Sequence, residues 1–106
     1  MAHALDPEVI DQVVRRISPG VYWLRRKPEG PVCYVGRSDV DVAQRLRQHA
    51  RDQEYAAFEF EYASSPKEAF EAECRLFHRY RAALDNTLHP ARPPGTDWFC
   101  PRCGRF

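Results

Sequence analysis

An acid sits where a hydrophobic residue is expected in this chain. Ala69, Glu73, Leu76 and Tyr80 follow the four, three, four spacing of one helical face, so Glu73 interrupts the stripe that should meet the core. An unpaired carboxylate costs several kcal/mol to bury, which calls for an Arg partner, a strong donor or a metal. An Arg45–Glu73 ion pair is one solution. A hard divalent cation, Mg or Mn, is the other, because one carboxylate with phosphate and waters is a normal way to hold Mg. Arg45 and His49 lie four apart, hence on one face of a helix that starts directly after Gly36, Arg37 and Ser38. Both reach the region above a hairpin carrying Tyr22 and Tyr34, in the stretch GVYWLRRKPEGPVCYVGRS. Each feature also has a plain reading: a Tyr in a strand usually packs, and RLRQHARD has the composition of an exposed helix face, above all for Arg47 and Arg51.

The elements that must position these residues are short and well punctuated. Asp6 caps and Pro7 opens a helix expected to run to about Ile17. Residues 21–26 and 32–36 read as strands joined by KPEGP, and a symmetric turn sets Tyr22 opposite residue 34 or 35. The two phenols then share one face of the sheet. Ser38 and Asp41 resemble a capping box, predicting a helix over residues 39–51. AFEFEYA alternates Phe58, Phe60 and Tyr62 with acids, a half-buried strand. Ser65, Pro66 and Glu68 start a helix to about Arg81. The expected class is α+β, a three-stranded antiparallel sheet flanked by helices. The segments are an N-terminal packing helix within 1–18, a central domain over 19–86 and an irregular tail over 87–106.

The 106 residues suffice for one modest core, and no apolar run approaches the roughly 20 residues that span a bilayer, so a membrane role is not expected. The N-terminus lacks the order of a secretory signal, and the four irregularly spaced cysteines do not form a dense disulfide framework, so a reducing cytoplasm is expected. Net charge is only +1, but fourteen of the sixteen basic residues are Arg. Residues 52–73 hold seven acids against Lys67, whereas residues 74–106 hold six Arg against two acids. A dipolar surface with one cationic side suits a polyanion.

Cys100 and Cys103, in CPRCG, have the two-residue gap of a zinc knuckle, which needs two further ligands. Cys74 and His78, four apart on the second long helix, complete a Cys3His set, with His89 the main competitor for His78. Cys33 reads as a small buried hydrophobe.

GVY, eleven residues, YVGRS, then RLRQH, AFEAE and Asn86 resembles the GIY-YIG nuclease superfamily in order and spacing over residues 20–86, with Val for Ile in both tripeptides. The resemblance implies a one-metal phosphodiesterase site on a three-stranded sheet. Tyr22 and Tyr34 match the two motif tyrosines, Arg45 the helix arginine, His49 a histidine that some members carry, Glu73 the glutamate that binds Mg or Mn, and Asn86 an asparagine near the phosphate. Arg37 and Arg47 are candidate nucleic-acid contacts. Tyr22 and His49 compete for the role of general base, since a free phenol has a pKa near 10 and an imidazole near 6.5. The implied activity is endonucleolytic hydrolysis, most simply of DNA, with little sequence preference or with targeting by a protein partner. The alternatives are a nucleic-acid-binding module without turnover and a zinc-stabilised interaction domain presenting Trp23, Trp98 and Phe99.

Overall fold

The computed structural model describes residues 2–104. Strand β1 (His3–Ala4) leads into helix α1 (Pro7–Val13), where Asp6 Oδ1 accepts the Glu8 N–H at 2.8 Å. α1 ends short of the expected Ile17, with Val14 extended and Ile17 85% exposed. Pro19 biases Ser18 away from helical geometry, just before the chain enters the sheet at Gly20.

β2 (Gly20–Arg25) and β3 (Val32–Ser38) form the antiparallel hairpin, with a register irregularity between Leu24 and Arg25. Tyr22 pairs with Gly36, and Leu24 with Tyr34, so the tyrosines are diagonal rather than directly opposed. They still share a face because strand side chains alternate. Helix α2 (Val42–Asp52) begins later than residue 39: Asp41 is the cap, accepting from the Ala43 N–H at 3.1 Å. Ser38 Oγ instead accepts from Val40 and Asp41 N–H, shaping the approach.

β4 (Ala57–Tyr62) pairs with the other side of β2, and α3 (Pro66–Tyr80) follows the expected Ser65 cap. Ser65 Oγ accepts the Glu68 N–H at 3.1 Å, while the Glu68 carboxylate accepts from Ser64 rather than closing a box on Ser65. A 3-10 turn over Arg81–Ala83 closes α3. The antiparallel sheet has four strands, in the order β1-β4-β2-β3, not three. The extra strand pairs two residues, His3 and Ala4, with Phe58 and Ala57, too short to carry an alternation legible in sequence.

Three layers result. Ile10 of α1, Val14 just after it, and Val42 and Leu46 of α2 meet Tyr22, Leu24 and Phe58 on one face. On the other, Ala69 and Phe77 of α3 meet Val21 and Val35 respectively. The chain after α3 then runs along the outer side of β3. The Asp85 N–H donates to the Cys33 carbonyl at 2.6 Å. The Asn86 amide accepts the Val35 N–H at 3.0 Å and donates to the Val35 carbonyl at 2.9 Å. Asn86→Ala removes both bonds and is expected to destabilise the fold by about 1–3 kcal/mol in urea unfolding; an unchanged midpoint would show that this contact contributes nothing to the fold.

Candidate active site

The two glycines beside the tyrosines are required by close approach. A Cβ at Gly36 would stand 2.4 Å from Tyr22 Oη, and one at Gly20 would stand 2.6 Å from the Glu61 carbonyl. Tyr22 therefore lies across a bare stretch of β3, fully buried at 0% exposure. Its hydroxyl is 2.8 Å from His49 Nε2, and its ring stacks 6.4 Å from that of Tyr34. Tyr55 completes the cluster, 5.8 Å from Tyr34. α2 thus brings His49 onto the hairpin, as its helical position relative to Gly36 requires.

Burial pushes the Tyr22 phenol far above its usual range, although the Arg45 cation opposes this, and burial also raises Tyr34. His49 moves the other way: burial first, then the Arg45 charge, lower it from 6.5. A neutral imidazole facing a protonated phenol is the consistent arrangement, with Tyr22 as donor and His49 Nε2 as acceptor.

Glu73 is the one buried charged residue among the described residues, at 9% exposure, and its partner is Arg37 rather than Arg45. The reason is strand alternation. Arg37 shares with Val35 the face that meets α3, whereas Arg45 sits on α2 in the opposite layer and donates to Gln48. Arg37 Nη1 reaches Glu73 Oε1 at 2.6 Å, Nε reaches Asp39 Oδ1 at 3.0 Å, and Nη2 reaches the Ala91 carbonyl at 2.7 Å. Burial raises the Glu73 carboxyl and Arg37 pulls it back, leaving it above its usual range. The two layers open onto one groove of about 250 Å³ lined by Tyr34, Gly36, Arg37, Asp39, Arg45, Glu73 and Ala91.

Arg47 lies apart, paired with Asp11 at 3.0 Å beside a separate concavity that includes Arg15 and Arg16. The Asn86 amide is engaged by the Val35 backbone. Asp39 and Ala91 were not singled out in sequence. Asp39 is legible in principle, two residues on from Arg37 and just past the end of β3; Ala91 has no sequence signal.

The tail supplies a second cluster. His78, His89, Cys100 and Cys103 offer ligand atoms all within 4.8 Å of one another, a His2Cys2 set able to bind a metal such as zinc. Cys74 is replaced by His89: it is fully buried with Phe70 and Cys100 and forms the floor beneath the knuckle. Of the three aromatics of the alternative contact surface, Trp23 is partly buried against α3, Trp98 is partly buried against Phe70, and Phe99 is 60% exposed. No family model matches this chain, and neither a curated protein nor a solved structure does.

His49 is held neutral in the fold, so on acidification the unfolded chain takes up its proton first. Its contribution to stability is present above about pH 6.5 and is lost as pH falls from there through the lower folded-state value. An NMR titration is expected to place the ring midpoint below 6.5; a midpoint at or above 6.5 would contradict the buried, Tyr22-bonded imidazole.

Proposed function

We propose that this chain is a metal-dependent nuclease that hydrolyses phosphodiester bonds, with DNA as the favoured substrate. The observation that carries the reading is that Tyr34, Arg45 and Glu73, from three separate elements, line one groove at the end of β3, with Tyr22 and His49 packed against Tyr34 behind it. The likeness of the same residues to the GIY-YIG nuclease motifs supports it.

Glu73 and Asp39 give this groove hard oxygen donors, which fits Mg or Mn. Held by these carboxylates, a divalent cation would supply positive charge to offset that of the phosphodiester. Arg45, exposed on α2 and lining the groove, offers a planar fork to the phosphate. A free Tyr22 phenolate is disfavoured by burial, so Tyr22 acts as a relay: its oxygen takes the proton of the attacking water as its own proton passes to neutral His49. The two rival bases become one device. In the same reading the tail cluster holds a structural zinc, and targeting to a particular nucleic-acid structure falls to the surface or to a protein partner.

A binding module without turnover is favoured by one feature, the 2.6 Å Arg37–Glu73 bond, which engages the carboxylate that must meet the cation. Plasmid nicking with Mg or Mn separates the two. Glu73→Gln retains an acceptor for Arg37 but loses the charge, and is expected to cut nicking roughly 100-fold or more with the fold intact; wild-type nicking by this variant would remove Glu73 from the mechanism. For Arg45→Lys a loss of about tenfold or more is expected, because a point charge does not reproduce a bidentate contact. Full turnover with Lys would make Arg45 a mere surface charge.

A further inference from the structure

The chain from Asp85 to Gly104 has no regular secondary structure, yet it delivers the Ala91 carbonyl to Arg37 with hydrogen-bond accuracy. Something must fix it. Apolar contact supplies a part, through Cys100 packed with Phe70 and Cys74 and with Trp98 against them. The remainder lies on the other side of the knuckle, where four ligand-bearing side chains converge.

We propose that His78, His89, Cys100 and Cys103 bind one Zn(II), and that this metal positions Arg37 through the tail backbone at Ala91. The spacing fits the ion. Tetrahedral zinc with nitrogen at about 2.0–2.1 Å and sulfur at about 2.3 Å sets nitrogens roughly 3.3–3.4 Å apart, and nitrogen from sulfur roughly 3.5–3.6 Å. His78 Nε2 and His89 Nε2 are 3.3 Å apart, and His89 Nε2 is 3.5 Å from Cys103 Sγ. The outer contacts fit as well. His89 Nδ1 lies 2.9 Å from the Pro90 carbonyl, a bond that requires the proton on Nδ1 and leaves the Nε2 lone pair facing the cluster. Two thiolates and two neutral imidazoles balance the charge of the ion and fill its four positions, so the site is closed and structural.

The mechanical consequence follows from sequence separation. His89 stands two residues before Ala91, so the metal anchors the carbonyl that receives Arg37 Nη2, and Arg37 in turn holds Glu73. The proposal does not rest on the nuclease reading.

The test uses the full chain purified without chelators. Elemental analysis should give one zinc per chain. Replacement by Co(II) should produce sulfur-to-cobalt charge transfer and the intense visible bands of a tetrahedral site. Cys103→Ser and His89→Asn should each weaken zinc binding by more than the roughly 10–100-fold that loss of an outer partner costs. Cys74→Ser should keep one zinc and the same cobalt spectrum. Removing zinc from the wild-type protein should shift the Arg37 Nε–H resonance, and restoring zinc should return it. Absence of stoichiometric zinc, an octahedral cobalt spectrum, or loss of metal in Cys74→Ser would overturn the ligand set. An Arg37 signal unmoved by zinc removal would overturn the positioning role.

Discussion

A single guanidinium links the three parts of this molecule that no continuous element joins. Arg37 projects from the edge strand β3, holds the carboxylate of Glu73 on α3, and takes the Ala91 carbonyl from the tail. Each partner alone would be a weak tether. Together they occupy the donors of a rigid fork at fixed angles, which suits Arg and not Lys. The bond also answers the question posed by an acid on an apolar stripe: Glu73 is tolerated there because its charge is matched from the facing strand. Breaking such a buried pair from one side leaves the other charge exposed to a poor medium, so the pair is stiff by default.

The opposite face of the sheet depends on a missing side chain. Gly36 leaves the space into which the Tyr22 ring lies, and the hydroxyl then meets His49 from α2. Two constraints therefore meet at adjacent residues of one strand. Gly36 admits the phenol on one face, and Arg37 reaches the carboxylate on the other. The groove arises where β3 has no Cβ to separate the layers.

Much of this was legible in sequence, and the failures share a cause. The α3 cap, the hairpin, the β4 alternation and the shared face of Tyr22 and Tyr34 all follow from local periodicity and turn chemistry, which one stretch of chain contains. The partner of Glu73 was not local. Arg45 was the natural candidate from order along the chain, but alternation along β3 carries Arg37 to the α3 side, and that follows only once the layers are known. β1 is two residues long, below any readable pattern. Of the four side chains that converge in the tail, Cys100, Cys103 and His78 follow from spacing, while the fourth is His89 because Cys74 turns into the core beside Phe70. Ala91 contributes a carbonyl, a group every residue has, so no residue type could announce it.

Asn86 imitates a neighbour. With one acceptor and one donor it presents to Val35 what the backbone of a further strand would present, and the Asp85 backbone N–H adds one bond to the Cys33 carbonyl. β3 is the border of the sheet, and an open border is a template on which a second molecule can add itself. Here a side chain takes that position at the most apolar stretch of the strand. The amide thus occupies backbone groups that an open edge offers to another strand, a consequence separate from any chemistry in the groove a residue away.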